Sequence, residues 1–432
     1  MKGNDGKTVS ILRLGLHDRL VGYLARLENG RNLLHFADEF RGDPIRPTFS
    51  LITHPGFARS DEVMAESWAR NQKLHPTLSN LLPEGPLREL IAQRLKVHID
   101  DEFRLLAHLG KDLPGALVVE PMDPDDVPPG ILKRLGNAKA EWFESGGIGN
   151  QHSLAGVQMK FSMSEEKDGR FGLYGGDDLG GWIIKTPSAK HRNVPLNEFT
   201  AMSLATMAGI DIPEFNLVEV SKLRHLPQIN LPDEKFAFAI ERFDRRGNER
   251  IHMEDFAQVL VKYPHEKYHS ANYEQIGKII YEYSGDGLAD AQQFARRLLV
   301  NILLANGDAH LKNWSLYYPD QITPRLSPSY DIVTTKVYFE DEKTFALNLG
   351  KTKKWYETGL ATFERWADKS GIPWRAIKPH LDDTMEKART LWPDALDNLP
   401  MDMDQKTVLR DHWSRLECEF RIQTERRAGG YS

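Results

Sequence analysis

Apolar and polar residues alternate along the first part of the chain. Between residues 7 and 58 the apolar positions recur with a period of two, and Val21 and Tyr23 share one face of a strand that this pattern predicts. The phase of the alternation slips between Ile11 and Leu12, which predicts a β-bulge at that point. These features predict a small antiparallel sheet.

Helical spacing of apolar residues begins after Leu81. Residues 86–95 start with a proline and carry Leu87, Ile91 and Leu95 on one face, and residues 102–109 repeat the type. A short apolar strand follows, and then an acidic, proline-rich stretch that is typical of a linker. We therefore predict an N-terminal β-rich subdomain with helices over residues 1–125.

The pattern changes again after residue 146. Strands are predicted at residues 161–163, 182–185 and 236–240, and a helix over residues 197–207 precedes the third of them. Strand, strand, helix and strand is the order found in the ATP lobe of a kinase. We predict that residues 126–246 form a β-rich ATP-binding lobe.

Beyond Arg250 the periodicity is mainly helical. Helices are predicted at residues 253–261, 273–284, 289–305, 359–369, 373–391 and 405–421. In the third of these, Phe294, Leu298 and Ile302 form a wide apolar stripe, which predicts a buried helix. Residues 247–432 are therefore expected to form an all-α C-terminal lobe, and the fold class to be α+β, a protein-kinase-like two-lobe fold.

Composition narrows the classes of function. A chain of 432 residues is too long for one core, and 56 basic against 62 acidic side chains argue against a protein dominated by nucleic-acid binding. The single cysteine, Cys418, excludes an intramolecular disulfide, and its neighbours predict a buried thiol. The longest apolar run, 298–305, is too short to cross a bilayer, so we expect a cytoplasmic protein without a membrane anchor.

The strongest chemical signal lies at residues 306–313, Asn-Gly-Asp-Ala-His-Leu-Lys-Asn. A carboxylate at Asp308 and a carboxamide at Asn313, five positions apart on a turn, match the needs of phosphoryl transfer: one group orients the attacking hydroxyl, and the other holds Mg²⁺. Asp331 supplies a second carboxylate for the metal. An Asx-turn at the end of a helix is the structural alternative. The pattern predicts an ATP-dependent kinase that uses Mg²⁺.

Two lysines are candidates for binding phosphate. Lys185 ends an apolar strand, and Glu198 in the following helix is a plausible ion-pair partner. Lys160 competes for the same role, and the sequence does not rank the two. The turn over residues 153–160 contains Ala155 and Gly156, whose small side chains let backbone amides approach phosphate oxygens, although it is not a Walker A sequence.

Nine short segments between residues 80 and 331 match, in their order along the chain, the motifs of a known family. They are Asn-Leu-Leu-Pro-Glu-Gly at 80–85, Pro-Gly-Ala-Leu at 114–117, Ser-Leu-Ala-Gly-Val-Gln-Met-Lys at 153–160, Ile-Ile-Lys at 183–185, Asn-Glu at 197–198, Glu-Arg-Phe-Asp-Arg at 241–245, Glu-Asp-Phe-Ala-Gln at 254–258, Gly-Asp-Ala-His-Leu-Lys-Asn at 307–313 and Ser-Tyr-Asp at 329–331. In this order they resemble the HipA family of bacterial serine/threonine kinase toxins.

The resemblance implies specific roles. Asp308 would be the catalytic aspartate, Asn313 and Asp331 the metal ligands, and Ser153 a serine that the kinase phosphorylates in itself to switch itself off. The backbone from Glu241 to Phe243 would meet adenine. The candidate ATP-binding residues are Ser153, Leu154, Ala155, Gly156, Lys185, Glu241, Phe243, His310, Lys312 and Asp331.

The resemblance also implies partners. The best-known members of the family phosphorylate an aminoacyl-tRNA synthetase, the glutamate-tRNA ligase, and so stop translation. They pair with a HipB-like helix-turn-helix antitoxin, so DNA is expected to be bound only through that complex. Two other functions stay open: a small-molecule kinase of the aminoglycoside or choline type, and a nucleotide-binding corepressor that acts with a DNA-binding partner.

Overall fold

The described part of the chain contains eight of the twelve candidate site residues. The computed structural model describes residues 8–135, 139–141, 158–166, 169–172, 180–227 and 230–423. Ser153, Leu154, Ala155 and Gly156 lie outside these ranges. Within the described ranges, the helices lack the length and apolar character needed to span a membrane.

The alternating segments at the start of the chain form a first sheet. Its strands are β1 (Thr8–Leu16), β2 (Arg19–Leu27), β3 (Arg31–Phe36), β4 (Trp68–Asn71), β5 (Leu117–Pro121) and β6 (Lys139–Ala140). The order is β4-β3-β2-β1-β5 with antiparallel neighbours, and β6 pairs in parallel with β1. The predicted antiparallel sheet is confirmed.

Helices connect and cover this sheet. They are α1 (Asp38–Gly42), α2 (Ser60–Ala65), α3 (Pro76–Ser79), α4 (Gly85–Leu95), α5 (Glu102–Leu109) and α6 (Pro129–Arg134). The predicted helices at 86–95 and 102–109 are confirmed by α4 and α5. Pro86 stands in the first turn of α4, where a residue without an N–H is tolerated because that donor has no partner within the helix.

Both faces of β1 are buried, which explains the slip in its pattern. Ile11 faces a small core that includes Ile131 of α6, whereas Leu12 and Leu14 belong to a larger core that includes residues of α5. The strand irregularity lies after Leu14, before Gly15. The bulge predicted between Ile11 and Leu12 is therefore wrong in position: adjacent apolar residues are buried there because each face has its own cover.

A second sheet occupies the middle of the chain. Its strands are β7 (Lys160–Glu165), β8 (Phe171–Gly172), β9 (Trp182–Lys185), β10 (Phe215–Glu219), β11 (Leu223–Arg224) and β12 (Phe236–Glu241), in the order β10-β12-β9-β7-β8-β11. Helix α7 (Val194–Met207) shares a core with β12, and Leu204 and Phe238 both belong to it. The predicted order of strand, strand, helix and strand is confirmed.

The remaining helices pack around one large core. They are α8 (Phe256–Val259), α9 (Tyr273–Tyr283), α10 (Gly287–Leu303), α11 (Leu360–Ser370), α12 (Trp374–Asn398) and α13 (Met403–Arg415). The predicted apolar stripe of α10 is buried: Phe294, Leu298 and Ile302 are all part of this core. A rigid, fully packed helix therefore leads directly into the segment that carries Asp308.

The prediction that the C-terminal lobe is all-α is wrong. Strands β13 (Arg245–Arg246), β14 (Glu249–Arg250), β15 (His252–Asp255), β16 (Ser315–Tyr318), β17 (Arg325–Leu326), β18 (Thr344–Leu349) and β19 (Thr352–Lys354) lie among the helices. The helix predicted over 253–261 is instead β15 followed by the single turn of α8. Pairing of β15 with β16 joins segments about sixty residues apart, a tertiary contact that periodicity does not reveal.

Helix α13 also ends earlier than predicted. It stops at Arg415 instead of reaching residue 421, because Leu416 adopts an extended backbone. Leu416 and Phe420 remain buried, but Cys418 between them is exposed. The prediction of a buried thiol is therefore wrong, because it assumed that the helix continued through Cys418.

Two side chains of α13 satisfy the end of α10. The last carbonyl groups of a helix have no partner within the helix. Here Nε2 of His412 donates to the carbonyl of Ile302 at 2.7 Å, and the indole N–H of Trp413 donates to the carbonyl of Leu303 at 2.8 Å. The buried end of α10 is thus held by a helix that comes about a hundred residues later.

Candidate active site

The turn between α10 and β16 fixes the backbone of Asp308. The N–H of Asp308 donates to Oδ1 of Asn306 at 3.0 Å, which forms an Asx-turn, and Nδ2 of Asn306 donates to Asn301 of α10 at 2.7 Å. Nδ2 of Asn313 donates to the carbonyl of Asp308 at 2.9 Å. The Asx-turn predicted as the structural alternative is present, and it belongs to Asn306, so the carboxylate of Asp308 remains free for other contacts.

The side chain of Asp308 projects from the turn and is 52% exposed. Its Oδ1 accepts a hydrogen bond of 2.5 Å from the phenol of Tyr268. Nε2 of His310 lies 4.0 Å from the same oxygen. Among the described residues, Oδ2 accepts no hydrogen bond. One oxygen of the carboxylate is therefore held, and the other is open to a bound molecule.

The two rings beside Asp308 have fixed protonation states. Burial raises the pKa of Tyr268 well above its usual range, and the charge of Asp308 and the hydrogen bond to it add to this effect. Burial lowers the pKa of His310 to about 4 in spite of the nearby carboxylate. Tyr268 is therefore a stable donor, and His310 is neutral at physiological pH. Nδ1 of His310 is buried without a hydrogen-bond partner within the described ranges.

Both candidate lysines meet at Asp331. Lys160 on β7 lies opposite Lys185 on β9 in the antiparallel register, so their side chains leave the sheet on one face. Nζ of Lys160 lies 2.7 Å from Oδ2 of Asp331. Lys185 forms ion pairs with Asp331 and with Glu198 of α7. The predicted Lys185–Glu198 pair is present, and the two lysines are partners instead of competitors.

The charges of this cluster stabilise one another. Burial by itself would lower the pKa of Lys185, but Asp331 and Glu198 raise it above its usual value. Burial would likewise raise the pKa of Asp331, yet Lys160 and Lys185 hold that pKa well below its usual range. Asp331 is therefore a carboxylate throughout the physiological range of pH.

The backbone at Asp331 is held in an unfavourable conformation. Its φ angle is +56°, in the left-handed region, which costs a residue with a side chain roughly 1–2 kcal/mol. Asn197 of α7 clamps the chain just beyond it: Nδ2 donates to the carbonyl of Thr334 at 3.1 Å, and Oδ1 accepts from the N–H of Thr334 at 2.9 Å. In the Asn-Glu pair at 197–198, Asn197 thus fixes the segment after Asp331, and Glu198 holds Lys185.

Asn313 and Asp331 supply suitable ligand atoms for Mg²⁺. The amide nitrogen of Asn313 is used by the carbonyl of Asp308, which leaves Oδ1 available as an acceptor. The carboxylate of Asp331 is permanently ionised. An amide oxygen and a carboxylate are hard oxygen donors of the type that Mg²⁺ prefers. The donor set therefore fits this ion.

The predicted adenine-binding segment follows β12. Glu241 ends the strand and is exposed. The Phe243 ring stacks on Tyr330 at 5.8 Å and meets Tyr317 edge-on at 6.2 Å. In the part of the chain that the structure describes, the backbone N–H and carbonyl of Phe243 have no main-chain partner. Such free backbone groups beside an aromatic ring suit the edge of a planar base.

Lys312 points to a part of the chain whose role the sequence did not reveal. Its Nζ lies 2.9 Å from the carbonyl of Asn80, 3.0 Å from Glu84 and 3.7 Å from Asp255. Glu84 also pairs with Lys267 at 2.8 Å. The Asn-Leu-Leu-Pro-Glu-Gly segment at 80–85 therefore supports the turn that carries Asp308. Its likeness to a family segment was the one sequence signal for this contact.

The segment at 114–117 supports the adenine-binding side in the same way. The N–H of Gly115 donates to Asp244 at 2.7 Å, and Arg245 donates to the carbonyl of Gly115 at 3.0 Å. Arg242 pairs with Asp244 through two hydrogen bonds of 2.9 and 2.8 Å. A side chain on Gly115 would collide with the backbone of Met253, and φ there is +76°. The first unit is thus joined to both edges of the site.

Models of known families match the chain over most of its length. The HipA N-terminal domain matches residues 12–120, and the HipA-like C-terminal domain matches residues 152–392, which is more than half of the chain. The chain belongs to the HipA family. The predicted resemblance to this family is confirmed.

Individual relatives agree with this membership. Y4dM of Sinorhizobium fredii, named a putative kinase, is 38% identical over 395 residues, which are 91% of this chain and 94% of the relative. The serine/threonine-protein kinase toxin HipA of Shewanella oneidensis is 24% identical over 68% of this chain and 70% of that protein.

A solved structure matches the whole architecture. HipA in a complex of HipA, HipB and operator DNA from Shewanella oneidensis has a TM-score of 0.69 and 20% identity, over 94% of this chain and 97% of that chain. The predicted α+β, kinase-like fold of a HipA-family protein is therefore confirmed. The individual roles of the site residues remain predictions.

Proposed function

We propose that this HipA-family chain is an ATP-dependent serine/threonine protein kinase that acts as the toxin of a toxin–antitoxin pair. The observation that carries the proposal is the cluster of Asp331 with Lys160 and Lys185. The cluster is joined to the turn of Asp308, because the hydroxyl of Tyr330 donates to the carbonyl of Lys312 at 3.0 Å. Paired lysines at a carboxylate beside a half-exposed aspartate are the parts that phosphoryl transfer requires.

ATP would lie between the second sheet, which carries Lys160 and Lys185, and the turn that carries Asp308. Lys185 and Lys160 would contact its phosphates, and the backbone from Glu241 to Phe243 would meet adenine. His310, whose Nδ1 has no hydrogen-bond partner among the described residues, would lie on the phosphate side. Lys312 is proposed there too, with its amine held by Asn80 and Glu84. Asn313 and Asp331 would hold Mg²⁺, which neutralises charge on the phosphates. Ser153, Leu154, Ala155 and Gly156 would cover the phosphates in the same proposal.

Asp308 would act on the substrate hydroxyl. As the hydroxyl oxygen bonds to the γ-phosphorus, the bond from phosphorus to the bridging oxygen breaks, and ADP leaves with that electron pair. The hydroxyl proton passes to the carboxylate of Asp308. The open Oδ2 supports this role, since a substrate can reach it without displacing a protein group.

The finer parts of the proposal rest on the family. The substrate would be an aminoacyl-tRNA synthetase, with the glutamate-tRNA ligase as the first candidate. A HipB-like antitoxin would be the partner, and DNA would be bound through that complex; a HipA–HipB–operator DNA complex is known for the matching Shewanella protein. We further propose that residues 1–125, 126–246 and 247–432 act as the first subdomain, the ATP lobe and the C-terminal lobe.

Ser153 would be the site of self-phosphorylation. A phosphate there would bring about two negative charges to a loop that must lie close to ATP phosphates, and so would oppose ATP binding. We expect Ser153→Ala to lose self-inactivation and to keep activity toward the target.

Asp308→Asn tests the proposal directly. We expect the wild-type chain to gain one phosphate when incubated with Mg·ATP, and the variant to gain it about 10²–10⁴-fold more slowly while its ATP affinity stays within about twofold, because the acceptor of the proton is lost and the phosphate ligands are not. Intact-mass spectrometry, preceded by the starting mass to detect phosphate added during expression, measures the gain. Asp394→Asn, an exposed position on α12, is the matched control.

The possible results separate the candidate functions. Phosphate gained by the wild type and the control, and mapped to Ser153, supports a self-regulating protein kinase. ATP binding without any gain, from a chain that carries no phosphate at the start, favours a small-molecule kinase or a nucleotide-binding corepressor. Transfer by Asp308→Asn at the wild-type rate would contradict the mechanism.

A further inference from the structure

Tyr268 is the direct donor to the carboxylate of Asp308. It lies between α8 and α9, forty residues before Asp308, and its hydroxyl is 2.5 Å from Oδ1. No other described residue donates a hydrogen bond to this carboxylate. The sequence offered no sign of this contact, because Tyr268 lies in a polar, aromatic loop without helical or strand periodicity.

The turn holds the backbone of Asp308 but leaves its side chain free to rotate. The hydrogen bonds that Asp308 forms with Asn306, His310 and Asn313 all involve its main chain. A half-exposed carboxylate with no other constraint would sample several rotamers. The hydrogen bond from Tyr268 selects one orientation, in which Oδ1 is used and Oδ2 remains open.

Tyr268 is itself held from several sides. Its ring meets His310 edge-on at 5.0 Å. Lys353 of β19 donates to its carbonyl at 3.4 Å, and the neighbouring Lys267 pairs with Glu84 at 2.8 Å. The phenol is therefore carried by a braced segment, which is what a positioning group requires.

We propose that Tyr268 is a positioning residue for Asp308: it fixes Oδ1 so that Oδ2 faces the substrate hydroxyl and accepts its proton. This inference rests on the proposed phosphoryl transfer. The proton moves from the substrate to Oδ2, and Tyr268 keeps its own proton throughout. Tyr268 touches neither the nucleotide nor the reacting oxygen in this scheme, so it acts through Asp308 alone.

A different role for Tyr268 makes the opposite prediction. A phenol on the catalytic carboxylate also resembles a substrate hydroxyl, and it would then block the site until a substrate displaced it. Removal of the hydroxyl would speed the transfer if Tyr268 were such a block. Removal slows the transfer if Tyr268 positions Asp308, so one variant separates the two roles.

Tyr268→Phe in the full chain is the test. ADP release from Mg·ATP with water as acceptor, and phosphate incorporation into the chain, give kcat and the KM for ATP. We expect kcat to fall by about tenfold, the effect of one lost hydrogen bond that orients a reacting group, with the KM for ATP unchanged within about twofold. Tyr263→Phe is the matched control. Tyr263 lies in the same segment between α8 and α9 as Tyr268, but its hydroxyl donates to the carbonyl of Leu74 and not to Asp308.

A double variant separates positioning from a general loss of structure. If Tyr268 acts through Asp308, Tyr268→Phe has no further effect on the residual rate of Asp308→Asn, whereas an independent effect would multiply. A kcat for Tyr268→Phe equal to or above that of the wild type overturns the inference and leaves the kinase proposal standing. A wild-type chain without ADP release or phosphate incorporation overturns both.

Discussion

At the scale of single residues, the carboxylate of Asp331 joins two lysines from neighbouring strands, Lys160 on β7 and Lys185 on β9. The sequence identified these charged groups but not which of them lie side by side. Lys185 and Glu198 could be paired because each stands at a recognisable position on a strand or helix. Lys160 could not be ranked against Lys185, since only the pairing of β7 with β9 places the two side by side. Tyr268 was missed altogether, because a contact from an irregular loop depends on a tertiary path that no local pattern records.

The buried ion pair between Lys185 and Glu198 leads to a prediction about stability. Lys185→Met leaves the carboxylate of Glu198 buried without its cation, which is expected to cost about 3–5 kcal/mol of the free energy of unfolding. Adding Glu198→Gln removes the stranded charge and should recover a large part of that loss. Thermal and urea unfolding of the wild type, Lys185→Met and the double variant measure the effect. A double variant as unstable as Lys185→Met alone would contradict this account.

At the scale of elements, the sequence predicted what leads into the turn but not what supports it. The apolar stripe of α10 and the strand that became β16 were both visible as patterns. The side chains that complete the turn come from elsewhere: Asn197 clamps the segment after Asp331, and α13 satisfies the last carbonyl groups of α10. These contacts join elements that are distant in the chain, so propensity and periodicity do not encode them.

His412, at the contact between α13 and α10, makes the stability of the fold depend on pH. Burial lowers its pKa from 6.5 to about 4 in the folded chain. The unfolded chain therefore takes up a proton first, and the stability that neutral His412 contributes is present above pH 6.5 and is lost as pH falls toward 4. The full change is about 3 kcal/mol for a shift of this size.

His412→Gln isolates this contribution, because the amide can still donate to Ile302 but does not titrate. We expect the difference in thermal midpoint between the wild type and the variant to shrink, or to reverse, as the pH falls from 6.5 to 4.5. Only the wild type loses the stability that neutral His412 contributes. Differential scanning calorimetry over that range is the measurement. A constant difference would show that His412 is accessible to protons in the folded state.

At the scale of the whole molecule, the first sheet and its helices are part of the site's framework. The sequence placed a boundary near residue 125 and assigned no chemistry to the first unit. Yet Gly115 binds Asp244 beside the segment that we propose meets adenine, and Glu84 binds Lys312 in the turn that carries Asp308. These contacts span more than a hundred residues, which is why the segments at 80–85 and 114–117 stood out only through their resemblance to a family.

Glu84→Gln tests whether the first unit stiffens the catalytic turn. The variant loses its ion pairs with Lys267 and Lys312, and we expect faster amide exchange over residues 262–272 together with a several-fold lower rate of phosphoryl transfer. Global stability should change by about 1 kcal/mol or less, because Glu84 is partly exposed to solvent. Hydrogen exchange read by mass spectrometry is the measurement, with the exposed Glu89→Gln on α4 as control. Unchanged exchange in that segment would refute the coupling.

The contact between α13 and α10 also governs when the site becomes complete during translation. Ile302 and Leu303 precede their donors by 110 residues, and a ribosome adding about 5–20 residues per second makes that stretch in roughly 5–20 seconds. A nascent chain that stops before α13 already carries Asp308, Asn313 and Asp331, but the carbonyl groups of Ile302 and Leu303 still lack the side-chain donors that α13 supplies. The segment behind the turn of Asp308 therefore gains its full support only after α13 has been made.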